Sequence, residues 1–230
     1  DHMGVGRSYN AGELLGSDGN RRLIDPDPVT GKRDIDFDAM EVMNGISRES
    51  EIALRRDWLS LVSQGEKIVA TANSDSHTAS QQVGLPRNMI AVEEDTIEAF
   101  DEAAFVSAVQ QGRVYGTTGP MLEVTLGDKR LGEMVAGGSA ELTVKVSSAP
   151  WIDASTLTIS VNGKALRDFP VENGEIVAFK LGFEKDSYVT VEVAGDPGED
   201  YAVVYPEFKP YAFTNPIYVD ANSDGVWTAP

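Results

Sequence analysis

The chain has 230 residues, 41% of them hydrophobic, enough to fill one large core or two modest ones. Its 19 Lys and Arg stand against 37 Asp and Glu, a formal charge of -18 with no concentrated basic patch, so nucleic acid is disfavoured as a partner by phosphate repulsion. There is no cysteine, which removes disulfides, thiolate catalysis and Cys-based zinc sites, and no run approaches the roughly 18 apolar residues of a membrane span.

Residues 1 to 35 are rich in Gly, Asp, Pro and Asn without a sustained period and read as loop. Residues 37 to 43 alternate Phe37, Ala39, Glu41 and Met43 against Asp38, Met40 and Val42, which predicts a buried strand with an inward Glu41. From Glu49 to Ser63, Leu54, Trp58, Leu61 and Val62 form the apolar stripe of a helix closed by Gly65. A strand over Ile68 to Ala72 follows, then a short strand over Met89 to Val92 and a helix from Asp101 to Gln111, with Asp101 as N-cap and Gly112 as stop. The Thr117-Thr118-Gly119-Pro120 run breaks regular structure and is the expected domain boundary, dividing residues 1–118 from residues 119–230. Beyond it, short alternating segments over Leu122 to Leu126, Ala140 to Val146, Leu157 to Val161, Ile176 to Leu181, Tyr188 to Val193 and Ala202 to Val204 predict an all-β sandwich of Ig-like size. Asn162-Gly163 is a hairpin signal within it. The sandwich is expected to be structural or to lend an edge to a cleft, with carbohydrate binding through Trp151 or Trp227 as an alternative.

The strand over Ile68 to Ala72 empties into Asn73-Ser74-Asp75-Ser76-His77. Residues two apart on an extended segment point to one side, so Asp75 and His77 can reach one ion, an oxygen and a nitrogen ligand suited to zinc, manganese or iron. Taken without context, the plainer reading is that Asp75 caps a turn and His77 is an ordinary loop histidine. Glu41 either faces such a centre or is satisfied by backbone amides or an arginine. Arg87, after a proline-stiffened turn, either anchors an anionic substrate group or pairs with a surplus acid.

Four blocks in order resemble one family: Asp38-Ala39-Met40-Glu41-Val42, Asn73-Ser74-Asp75-Ser76-His77, Gly84-Leu85-Pro86-Arg87-Asn88 and Gly112-Arg113-Val114-Tyr115-Gly116. The chain looks like the C-terminal part of a PHP (polymerase and histidinol phosphatase) metal hydrolase of the CehA/McbA type, which carries a β-sandwich after its barrel. The resemblance implies an α/β fold, a partial PHP-type β/α barrel over residues 1–118, followed by the sandwich. It implies Asp75 and His77 as metal ligands, and His2 as another, although His-Met at a chain start is also what a cloning site leaves. It further implies one to three zinc, manganese or iron ions that activate water against a small anionic or amide substrate, a phosphoester, carbamate or amide. The His-x-His pair of that family is absent, so the expectation is a bacterial enzyme truncated to a fragment that is inactive alone. It would lack the N-terminal half of its barrel and self-associate through the exposed barrel face. The compartment stays open between secreted, periplasmic and cytoplasmic.

At the tail, Asp220, Asn222 and Asp224 before Gly225 match the opening of a calcium loop or an ordinary Asx-rich turn. The alternative to the hydrolase is a non-catalytic binding or scaffold protein whose β-sandwich is the working part.

Overall fold

The computed structural model describes residues 9–45, 48–94, 96–206 and 208–230. In chain order its helices are α1 (Arg21–Ile24), α2 (Arg48–Ser63), α3 (Glu102–Gln110) and α4 (Glu199–Val204). The strands are β1 (Ala39–Asn44), β2 (Val69–Asn73), β3 (Arg87–Ile90), β4 (Val114–Thr117), β5 (Met121–Leu126), β6 (Met134–Ala136) and β7 (Ser139–Ser147). There follow β8 (Thr156–Val161), β9 (Lys164–Pro170), β10 (Ile176–Gly182), β11 (Ser187–Ala194), β12 (Tyr211–Thr214) and β13 (Ile217–Asp220).

β11 organises the molecule because both of its faces are covered: Tyr188 and Thr190 are buried on one side, Val189, Val191 and Val193 on the other. One edge of β11 pairs with β8, which turns back into β9 through Asn162 and Gly163 at φ 53° and 71°, the backbone a type I′ turn needs and Asn-Gly supplies. The other edge is shared by β12 and β13, separated at Asn215-Pro216. β12 continues to β4 and β3, and β13 pairs in parallel with β6, completing an eight-stranded sheet. A three-stranded antiparallel sheet, β10-β7-β5, lies over one face. Leu122, Val124, Leu142 and Val144 from it bury against Val189, Val191, Val193 and Ile217 to make the sandwich core. The chain steps between sheets at Thr117 to Pro120, where the Thr117 hydroxyl donates to Pro120 C=O (2.6 Å) and accepts from Gly119 N–H (2.8 Å).

The opposite face of the large sheet carries α2, β1 and β2. The stripe Leu54, Trp58, Leu61 and Val62 is buried there with Tyr188, Phe213 and Tyr218. α2 ends in a Schellman motif, with Gly65 at φ 100°, its N–H on Val62 C=O (3.0 Å) and Glu66 N–H on Leu61 C=O (3.1 Å). α3 ends the same way at Gly112 and begins with Asp101 accepting from Ala104 N–H (3.1 Å).

The expected partial β/α barrel is not present among the described residues. β1 and β2 form an isolated parallel pair, β3 and β4 are antiparallel members of the sandwich sheet, and strands far outnumber helices. The physical reason lies at the free edge of β2. Val69 N–H bonds Asp38 C=O and Gly45 N–H bonds Asn73 C=O, so odd residues of β2 face β1, and Ala70 and Ala72 turn their main-chain groups away. A third barrel strand would take those groups. Here two asparagine side chains do. Asn215 accepts from Ala70 N–H (2.8 Å) and donates to Ala70 C=O (2.9 Å) and Val114 C=O (3.0 Å). Asn88 accepts from Ala72 N–H (2.8 Å) and donates to Ala72 C=O (2.8 Å). Gly116 lets the two sheets approach: a Cβ there would lie 2.5 Å from the Phe213 ring and 2.7 Å from Ala72 Cβ.

The strand expected over Ala202 to Val204 is instead the end of α4. Glu199 and Asp200 occupy its first turn, and Tyr201 and Tyr205, one turn apart, bury their rings 6.4 Å from each other.

Candidate functional site

Asp75 and His77 sit on the loop that leaves β2. Asp75 has a left-handed backbone, φ 48°, which an Asx side chain tolerates at a turn. Its Oδ1 is 2.8 Å from His77 Nε2, so the two residues that spacing places on one side meet each other. The side chains are 48% and 73% exposed. Glu41 points toward the same strand ends, where its carboxylate accepts from Asn73 Nδ2 (2.8 Å) and Asn44 Nδ2 (2.9 Å). Asn73 Oδ1 accepts in turn from Asn88 Nδ2 (3.0 Å), which links Glu41 to the clamp on β2. Among the described residues, no three His, Cys, Asp or Glu side chains converge on one point. His2 lies outside the described residues.

Arg87 opens β3 and makes one long contact, Nη1 to Gly84 C=O at 3.4 Å. Its charge acts on two buried phenols. Burial pushes the Tyr201 hydroxyl up to about 12, with the Thr118 side chain and then Arg87 partly offsetting the rise. Burial raises Tyr115 too, offset by the bond from Leu122 N–H and by Arg87. In the tail loop, Asp220 is buried and its two carboxylate oxygens accept from Asp224 N–H (3.2 Å) and Gly225 N–H (2.7 Å). Asn222 Oδ1 also accepts from Asp224 N–H (3.0 Å), and Asp224 Oδ1 from Val226 N–H (2.9 Å), an Asx-turn network. Trp227 is buried with its indole N–H on Ser187 C=O (2.8 Å), whereas Trp151 is partly exposed beside Tyr201.

The sequence did not point to a groove of about 1290 Å³ along one lateral seam of the sandwich. β3 and the loop after it, α3, and β5 with its following turn form the walls, and Tyr115 and Leu131 lie at its base. The opposite seam is bridged: the rings of Phe169 on β9 and Phe179 on β10 meet across it at 4.1 Å, tilted by 38°, with the Arg167 guanidinium 4.5 Å over the Phe169 ring. A signal for the open seam was available in one short stretch, where Val92, Ile97, Phe100 and Val106 are all exposed apolar residues next to Glu93 and Glu94.

No family model matches the chain, and no curated protein matches it. Solved structures similar to it include two of the CARDB domain of the PF1109 protein from Pyrococcus furiosus. The solution NMR structure is 16% identical, covers 44% of this chain and 95% of its own, and has a TM-score of 0.29. The crystal structure, determined in complex with di-metal ions, is 19% identical, covers 44% and 86%, and has a TM-score of 0.30.

The resemblance to PHP hydrolases is corrected by the strand pairing, which is that of a β-sandwich with a two-stranded annex rather than of a β/α barrel. With it falls the metal-dependent hydrolase, phosphoesterase or amide and carbamate hydrolase, whose activity was implied by that resemblance. The picture of a truncated barrel falls for the same reason, since β3 and β4 are integral to the sandwich sheet.

Proposed function

We propose that the protein is a binding or scaffold module in which the β-sandwich is the working part and the open seam is its contact surface. The observation that carries this reading is the asymmetry of the two seams: a tilted aromatic pair bridges one, whereas β3, α3 and β5 hold a groove of about 1290 Å³ open along the other. Concave, largely apolar surfaces with a few polar groups are where partners dock. The sheets on either side are braced by a continuous core, so the groove is held by rigid elements.

The test is selection of a random displayed-peptide library against the whole chain, followed by counter-screening on Ala104→Trp. Ala104 is an exposed position on α3 that lines the groove, so the indole fills the seam without entering a core. Peptides that bind the parent and lose binding to Ala104→Trp support the reading. Selected peptides that bind both proteins equally would place the contact surface elsewhere and overturn it.

A further inference from the structure

The β5 side of the groove presents a strand edge with free main-chain groups. Gly127 N–H bonds Glu141 C=O (2.7 Å), which sets the parity of the β5–β7 ladder: odd residues face β7, and Leu122, Val124 and Leu126 turn their amides and carbonyls outward. Both ends of that outward row are occupied. Leu122 N–H is held by the Tyr115 hydroxyl (3.2 Å), and Leu126 exchanges two bonds with Lys129 (2.9 and 3.1 Å). Between them the Leu122 carbonyl and both main-chain groups of Val124 have no partner among the described residues. An unpaired edge of this kind is a template for another strand.

Charge selects the strand. The groove lining holds six carboxylates, Glu93, Glu94, Asp101, Glu123, Asp128 and Glu133, against the cations Arg113, Lys129 and Arg130. Lys129 is already within 3.1 Å of Asp128 and Glu123 is paired with Lys145 at 2.6 Å, whereas Glu93 and Glu94 are exposed and make no ion pair among the described residues. At a formal charge of -18, a second copy of the chain or an acidic peptide would be repelled. The pleat sets the pattern: a strand beside β5 would turn alternate side chains toward Leu122, Val124 and Leu131 and the others to the outer face beside Glu123.

We propose that the seam takes an extended basic segment of a partner protein, about five residues long and alternating apolar with Lys or Arg, which adds to β5 as an antiparallel or parallel strand through Val124. This rests on the binding reading above and names the partner's chemistry. The probes are a short synthetic peptide alternating valine with lysine, its valine and glutamate counterpart, and the lysine peptide N-methylated along one edge so that its charge is kept and its ladder donors are lost.

Fluorescence anisotropy at physiological salt is expected to show the lysine peptide binding at least about tenfold more tightly than either comparison peptide. Backbone amide NMR shifts are expected to centre on Val124. The double variant Glu93→Lys with Glu94→Lys should weaken binding by about tenfold or more, whereas Glu199→Lys with Asp200→Lys, exposed on α4, should leave it within about twofold. Equal losses from the two charge reversals, or no loss on N-methylation, would reduce the effect to general attraction and overturn the proposal. Binding that Ala104→Trp abolishes but that ignores charge and N-methylation overturns this inference while leaving the binding reading intact. Binding of all peptides that ignores Ala104→Trp overturns both.

Discussion

Replacing Asn215 by Ala tests what holds β2 against the large sheet. The substitution removes the acceptor for Ala70 N–H (2.8 Å) and the donors to Ala70 C=O (2.9 Å) and Val114 C=O (3.0 Å). Val114 C=O keeps a long bond from Asn215 N–H (3.4 Å), so two main-chain groups are orphaned in a site where Asn215 and Ala70 are both fully enclosed. A buried orphan costs about 1–3 kcal/mol, so the expected loss is about 2–6 kcal/mol. That is a large share of the roughly 5–15 kcal/mol available to a domain. Asn88 makes the equivalent pair of bonds to Ala72 at 2.8 Å but is only half-buried, so water replaces part of what Asn88→Ala removes and the expected loss is about 1–2 kcal/mol. Because both side chains hold one strand, the double variant should cost less than the two losses added.

Urea unfolding at neutral pH reads these differences as midpoint shifts at unchanged m-value, and hydrogen exchange reports the Ala70 and Ala72 amides separately. Asn215→Asp sharpens the test. At neutral pH it sets an unpaired carboxylate against two carbonyls, and its destabilisation should shrink as acid protonates that group and restores a donor. If Asn215→Ala shifts stability by less than about 0.5 kcal/mol, or if Asn88→Ala costs more, the amide clamp is not what docks β2.

Gly116→Ala should cost about 1–3 kcal/mol by urea midpoint, because its Cβ would meet the Phe213 ring at 2.5 Å and Ala72 at 2.7 Å; a neutral result would mean the two layers slide freely. Asp57 on α2 is 4% exposed, and burial holds its carboxyl above the usual range despite Arg56 3.5 Å away. A raised folded-state value favours folding only below the unfolded value near 3.8 and disfavours it as pH climbs through the folded one, so Asp57→Asn should raise the urea midpoint at pH 7 and lose that advantage near pH 3. His77→Ala with Asp75→Asn, both largely solvent-facing, should leave thermal unfolding within about 0.5 kcal/mol of the parent. Residues 120–230 expressed alone lack β4, which pairs with β12 and covers Phe213, so that piece should unfold at lower urea than the whole chain; equal midpoints would make β3 and β4 dispensable.

The parts of this fold that could be read from the sequence are those decided by neighbours along the chain. The stripe Leu54, Trp58, Leu61 and Val62 needs only the helical period, Gly65 and Gly112 need only the left-handed backbone of a Schellman cap, and Asn162-Gly163 carries its turn within two residues. The alternating strands after residue 120 were legible for the same reason, because a sandwich strand buries one face and shows it in its own pattern. The strand expected over Ala202 to Val204 is helix because one alanine and two valines suit either state over so short a run, and the deciding contact, between Tyr201 and Tyr205 on either side of them, is one helical turn long.

What β2 pairs with was not legible at all. A strand, a helix and a parallel strand read the same whether the next neighbour is a third barrel strand or an asparagine, and the asparagine that occupies Ala70 stands 145 residues away in the sequence. Asp75 and His77 illustrate the same gap at the scale of a site: two-residue spacing puts them within reach of each other, but only the fold decides what else converges there. Here the two side chains meet at 2.8 Å at the surface, while the open edge at Val124 is written in residues whose side chains say nothing about it. Free main-chain groups carry no residue-type signature, so a surface built on a strand edge becomes visible only once the ladder's parity is known.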